Sequence, residues 1–392
     1  MRQTTKTIGL ALAIAAATAT GAPTGALAQT NGVTPTEILL GTHSDLSGVT
    51  ATYGISSTNG AKMRLEEANA AGGVNGRKIR FIIEDAGYQV PKAVQACNKL
   101  INRDKVFAFL VPIGTPMNNA CFKDQLAANI PNLFPITAAR SMFEPFDRLK
   151  FYASASYVDQ VRSGINYLVS KQNKKAVCVM YQDTDFGKEI LDGARLQTEK
   201  LGIKIVESAT HKPTDQDFTA SLTKLKGAGC DLIVMGTIVR DTIIAYTAAR
   251  KSGWDVTFLG SSATYDTVVG AAPGMDGFYG MGLVEMPYAD STNPDMKKFV
   301  ADYKAKYGID PNVGSVYGYI GADLTVQGLT NAGKDLTVDS FIKGMEAIKD
   351  SHDKLGGPPV TFGPKIRQGA NASFLAEIKG GKWTKATEPL GF

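Results

Sequence analysis

One pattern limits what this chain can fold into: from residue 37 onward short β-branched runs alternate with helix-length runs, and the alternation begins again after about residue 151. Parallel strands cannot be joined by a tight turn and need a crossover, usually a helix, so this order specifies α/β layers with helices on both faces of parallel sheets. In the first series residues 37–43 (EILLGTH), 78–85 (KIRFIIED) and 105–112 (KVFAFLVP) read as strands, the last fully buried. Between them lie a Gly-containing loop at 44–54, a helix with Ile55, Ala61, Leu65 and Ala68 near one face that ends at Gly72-Gly73, and a helix over 91–102 opened by Pro91. Gly114-Thr115-Pro116 starts the next helix. The second series reads as strand 176–183, helix 186–201, strand 203–209, helix 217–227 and buried strand 230–237.

A chain of 392 residues exceeds what one hydrophobic core organises, and two series of strands predict two lobes, each with its own sheet. From about residue 285 helical runs follow at 293–308, 313–333 and 336–349 without new buried strands between them. These helices need a sheet to cover, and the economical path returns them to the first lobe. The expected organisation is residues 29–150 plus 284–357 in lobe 1 and 151–283 plus 358–392 in lobe 2. The chain then crosses between lobes near 151, 283 and 358, and the Gly/Pro-rich stretch 355–364 suits the last crossing.

Residues 1–28 are expected to be a cleaved export signal. Arg2 and Lys6 precede an apolar stretch over 8–19, and Ala26-Leu27-Ala28 offers the small-residue pattern of a processing site after Ala28. The mature chain would start at Gln29 in the periplasm. No Cys stands at that point, so a lipid tether is not indicated. The formal charge is 42 − 37 = +5, and loss of Arg2 and Lys6 leaves +3. Lysines are scattered singly, without the basic patches interleaved with aromatics that a nucleic-acid partner requires.

The sequence also argues against catalysis. His43, His211 and His352 stand apart, with no metal-ligand spacing around them. No nucleophile elbow, Walker-type loop or dinucleotide fingerprint occurs, and Cys97, Cys121, Cys178 and Cys230 form no C-x-x-C pair. Glu66-Glu67 and Glu84-Asp85 read as helix-surface and strand-end residues. The expectation is a non-enzymatic protein without cofactor or metal.

The loop SDLSGVTATYG at 44–54 and the segment AAGGVNGRKIRFIIEDAGYQVPKAVQACNKLI at 70–101 resemble the periplasmic solute-binding proteins of ABC importers, in the branched-chain amino acid (leucine/isoleucine/valine)-binding family. The likeness continues through YQDTDFGKEI at 181–190, 218–237 and WDVTFLGSSATYD at 254–266, so it spans the mature chain. It implies the type I periplasmic-binding-protein fold: two Rossmann-like lobes with parallel sheets joined by a three-stranded hinge, and a ligand held between them. It further implies a monomer that delivers a small-molecule carboxylate to membrane permease and ATPase subunits. A ligand-sensing module serving a chemoreceptor or sensor kinase is the alternative.

Carried over residue by residue, the family's ligand loops fall in lobe 1 on Leu46-Ser47-Gly48 with Tyr53, on Gly114-Thr115 and on Ile136-Thr137-Ala138. In lobe 2 they fall on Phe186, Ile238 and Ser262, while Tyr317 and Tyr319 offer aromatic surface near the hinge. Strand-end loops that feed helix N-termini are where open α/β sheets bind ligands, and unpaired N–H groups there favour a carboxylate. Thr115, preceding Pro116, would also serve as a plain N-cap.

The chain departs from the amino-acid binders at three of these positions, since they carry Glu where this sequence has Ser262 and Tyr where it has Phe186 and Ile238. An ammonium buried without a partner is costly, so an acid lacking the α-amino group is favoured over leucine, isoleucine or valine unless Asp183 or Asp266 substitutes. Arg240 offers a two-pronged carboxylate contact, or is an exposed helix-start residue beside Asp241. Export permits disulfides, and Cys97 and Cys121 lie on helices flanking the strand at 105–112, so they are expected to be bonded. Cys178 and Cys230 fall in separate strand regions and are expected to be buried thiols.

Overall fold

The computed structural model describes residues 1–5 and 30–392, so the expected signal's apolar stretch, its processing site and Gln29 lie outside the described residues. The first sheet contains β1 (Glu37–Ser44), β2 (Lys78–Asp85), β3 (Ala108–Leu110), β4 (Asn132–Leu133) and β5 (Lys150–Phe151), parallel throughout in the order β2-β1-β3-β4-β5. β3 is shorter than the sequence suggests. Val111 has a φ of 50° and is followed by Pro112, which lacks an N–H, so the ladder ends there.

Helices α1 (Ala51–Ala70), α2 (Val90–Asn98, continued by a π turn to Arg103) and α3 (Thr115–Ala127) connect these strands. The late helices α9 (Pro294–Tyr307), α10 (Val313–Ala332) and α11 (Val338–Glu346) return to this lobe, and α10 lies along α1. The two backbones approach closely because the contact is made by glycines: a Cβ at Gly60 would come within 1.9 Å of the Ser315 carbonyl oxygen, and one at Gly318 within 1.9 Å of that of Ser57. This explains why Ile55 is 37% exposed while Ser56, Ser57 and Gly60 are buried. The α1 face that meets α10 is chosen by size rather than by hydrophobicity.

The second lobe begins with α4 (Tyr157–Gln172) and alternates β6 (Val177–Gln182), α5 (Asp185–Lys200), β7 (Ile205–His211), α6 (Thr219–Gly227), β8 (Leu232–Gly236), α7 (Val239–Lys251), β9 (Thr257–Gly260), α8 (Thr267–Ala271) and β10 (Tyr279–Gly282). The C-terminal β11 (Phe374–Lys379) and β12 (Lys382–Lys385) add an antiparallel hairpin beside β10, which gives the order β12-β11-β10-β9-β8-β6-β7. Three connections join the lobes, after β5, after β10 and before β11. The first and last lie side by side, with Tyr152 N–H donating to the Arg367 carbonyl and Gly369 N–H donating to that of Tyr152.

Cys97 and Cys121 are bonded to each other, tying α2 to α3. Cys178 and Cys230 are bonded as well, which corrects the expectation of free thiols. In sequence their strands are separated by a whole β-α unit, but in the sheet β6 and β8 are neighbours because the chain winds outward to β7 and returns. No helix among the described residues is long and apolar enough to cross a membrane.

Candidate ligand-binding site

The carboxyl ends of both sheets face one another across a cavity of 340 Å³. Lobe 1 supplies the starts of α1 and α3. Asp45, fully buried at the end of β1, shapes the first of these by accepting hydrogen bonds from the N–H groups of Gly48 (2.5 Å) and Thr50 (2.7 Å) and from the Thr50 hydroxyl (2.7 Å). That loop turns Val49, Thr50, Thr52 and Tyr53 to the cavity. Ser47 is not among them, because its hydroxyl donates to Asp85 Oδ2 at 2.6 Å and the residue is exposed.

Gly114 precedes α3 with a φ of 91°, a conformation that disfavours any Cβ, and a Cβ there would also meet Met117 Sδ at 2.9 Å. The Asn118 amide fixes this turn by donating to the Pro112 and Gly114 carbonyls. The first helical bond runs from Asn118 N–H to Gly114 and the helix has no side-chain cap, so the Thr115 and Met117 N–H groups have no partner within the helix. Thr115 is therefore not the N-cap. Its Oγ1 lies 2.6 Å from Thr137 Oγ1, and Gly114 N–H donates to the Ile136 carbonyl, so the two expected loops form one wall with Ala138.

Lobe 2 places Phe186, Ile238, Arg240 and Ser262 on the opposite wall. Phe186 packs edge-on against Tyr157, with ring centroids 5.1 Å apart, and burial pushes the Tyr157 phenol up to about 12. Ile238 precedes α7, whose start also lacks a side-chain cap, so helix N-termini from both lobes converge on the cavity. The Ser262 N–H is engaged by Gln160 Oε1 at 2.8 Å.

Arg240 reaches the lining, but the two-pronged contact expected of it is already used. Its Nε and Nη2 donate to Asp241 Oδ1 at 2.8 and 2.6 Å, and Nη2 also donates to the Pro213 and Asp215 carbonyls. Its charge is compensated by the fully buried Asp241, so it offers the wall neither a free fork nor an unpaired charge. Neither candidate for an ammonium partner lies on the lining. Asp183 is exposed. Asp266 is fully buried behind the wall, where burial pushes its carboxyl up to about 7.

Of the two hinge tyrosines only Tyr317 lines the cavity; the Tyr319 hydroxyl donates to Glu67 Oε2 at 2.7 Å and its ring packs on Phe299. Positions two apart on a helix point to nearly opposite sides, so one of the pair had to face away. Sequence reasoning did not single out Tyr88, Tyr152, Tyr157 or Asp353, all of which line the cavity. Tyr88 was findable, since it follows the carboxyl end of β2. The others sit at the crossings, which no local motif marks.

The lobes touch on both sides of the cavity. The Tyr53 hydroxyl reaches across to lobe 2, Asn119 Nδ2 donates to Asp185 Oδ2 at 2.8 Å, and Arg140 pairs with Glu189 and Asp192. Away from this site, His43, Cys97 and Cys121 gather within 4.8 Å of one another, but both sulfurs are in the disulfide and are not thiolate ligands.

Residues 37–382 match the family model described as periplasmic binding protein. A leucine-, isoleucine-, valine-, threonine- and alanine-binding protein of Pseudomonas aeruginosa is 24% identical over 74% of this chain and 77% of its own. Among solved structures, a fatty acid ABC transporter substrate-binding protein from Thermomonospora curvata superposes with a TM-score of 0.84 at 26% identity, covering 93% of this chain and 95% of that one. An ABC transporter solute-binding protein from R. palustris, in complex with benzoate, superposes with a TM-score of 0.78 at 20% identity, over 91% and 98% of the two chains.

Proposed function

We propose that this chain, which belongs to the periplasmic binding protein family, is the extracytoplasmic binding subunit of an ABC importer and closes its two lobes around a small hydrophobic carboxylate. The observation that carries this reading is the character of the cavity. Two uncapped helix N-termini, from α3 and α7, meet there on walls made of Tyr53, Ile136, Phe186 and Ile238. Unpaired N–H groups at the positive end of a helix dipole favour an anion, and the aromatic and aliphatic walls favour an apolar body.

The other half of the reading is what lobe 2 lacks. Ser262 stands where the amino-acid binders carry Glu, and among the described lining residues the carboxylate is Asp353, near the hinge. A ligand ammonium at the usual position would lose its hydration without gaining a counter-charge. The benzoate complex of the R. palustris relative and the fatty acid transporter relative are consistent with acids as guests of this fold. The protein acts by binding, not by catalysis.

Closure follows from the arrangement, because a ligand seated on lobe 1 gains the lobe 2 wall only when the hinge shuts. Small-angle scattering of ligand-stripped protein should therefore show a smaller radius of gyration on saturation with a benzoate-type acid. Identical profiles with and without a saturating acid would contradict the mechanism.

A further inference from the structure

The cavity does not end at the converging helices. It continues to the hinge, where Phe134, Leu283, Val284, Ile320 and Val360 form its floor. These residues come from the end of β4, the connection after β10, the middle of α10 and the segment before the last crossing. None of these five has a polar side chain, and the Asp353 carboxylate lies beside them at Ile320. We infer that this floor receives the tail of the ligand, so that the transported acid is an elongated single-headed carboxylic acid, longer than leucine or benzoate. The inference rests on the carboxylate reading above and adds length and orientation to it.

The cavity is larger than a short acid needs. The cavity of 340 Å³ is partly open to solvent, so an interior packing density of about 0.75 sets about 250 Å³ as the upper limit of atomic volume it takes, roughly twice what leucine or benzoate fills. A short acid held at the helix N-termini would leave the floor uncovered.

The polarity of the lining sets the direction of the ligand. The unpaired N–H groups of α3 lie at the helix end, where Arg240 is already paired with Asp241. Asp353 lies at the floor: a Cβ on Gly357 would be 2.2 Å from Asp353 Oδ2 and 3.4 Å from Ile320 Cδ1, so both flank the same backbone. Asp353 Oδ1 accepts the Leu355 N–H at 2.6 Å, which holds the carboxyl in place. A ligand carboxylate turned toward the floor would face this group in a poorly hydrated space. The head therefore goes to the helices and the tail to the floor.

Titration calorimetry of ligand-stripped protein against straight-chain acids of about four to twelve carbons tests this. Affinity should rise about fourfold for each methylene until the floor is filled and then level off. A dicarboxylic acid of the best length should bind at least about tenfold more weakly, because its second carboxylate meets Asp353. Ala153→Leu, which adds bulk at the hinge end of the lining, should cut the preference for the long acid over the short one at least about tenfold, and Ile320→Phe gives a second such variant should the first not fold. Two results would overturn the inference alone: acids that bind with no dependence on length, or a length preference unchanged in both folded variants. If acids of every length fail to bind, the carboxylate reading itself falls.

Discussion

The Tyr53 hydroxyl, carried by α1 of the first lobe, lies 3.1 Å from the carbonyl oxygen of Ser262 in the second, and 3.2 Å from that of Tyr265. Its single proton can satisfy one carbonyl at a time, and either bond exists only while the lobes are closed. Tyr53→Phe keeps the ring in the wall and removes the bond. Ligand affinity should weaken about fivefold, for a loss of about 1 kcal/mol, with the scattering radius of the unliganded protein shifted toward the open form. Unchanged affinity would mean that the bond contributes nothing to closure.

The succession of strands and helices was legible because each run obeys its own period, and the late helices had no other sheet to cover. The site was legible where a strand end feeds a helix start, as at Gly114-Thr115 and Ile238. It was not legible where spatial neighbours are remote in sequence. Asp353 and Val284 reach the cavity through the crossings, and Cys178 meets Cys230 through a strand order that no local pattern encodes. Ser47 misled for a different reason: the loop is in place, but a strand-end carboxylate, Asp85, takes the hydroxyl.

The two disulfides close loops with sequence separations of 24 and 52. The chain-entropy model assigns about 3.5 and about 4 kcal/mol to loops of these lengths. Replacing Cys178 and Cys230 with Ala should therefore lower the unfolding free energy at least as much as replacing Cys97 and Cys121, as measured by urea unfolding. Non-reducing peptide mapping should find all four sulfurs in bonds.

Two buried groups act on stability in opposite directions over one pH range. Burial pushes the Asp266 carboxyl up from 3.8 to about 7, so its contribution is present below pH 3.8 and lost as pH rises through about 7. Burial pushes His43 down from 6.5 to about 4, with neither ring nitrogen hydrogen-bonded, so its contribution is present above pH 6.5 and lost as pH falls through about 4. The stability of Asp266→Asn relative to the parent should rise with pH across this window, by a few kcal/mol in all, whereas that of His43→Leu should rise as pH falls. Flat difference curves from denaturant titrations would contradict both assignments.

Ser262→Glu places a carboxylate on the lobe 2 wall at a position now only 6% exposed. Leucine affinity should increase at least about tenfold, while the affinity for the corresponding keto acid falls because the new charge faces an anion without an ammonium between them. A variant that folds but gains no leucine binding would show that the missing Glu does not set the preference.

On the function proposed above, the cavity selects a hydrophobic carboxylate without an α-amino group. Calorimetry on one ligand-stripped preparation with leucine, its keto acid and a benzoate-type acid is the decisive measurement. A site built for the ammonium should reject the deaminated analogues by several kcal/mol, since its own polar partner would be left unpaired, whereas this site has no such partner on its lining at Ser262. Saturable heat from the two acids and weaker binding of leucine are expected. Tight leucine binding with no heat from either acid would contradict that selection.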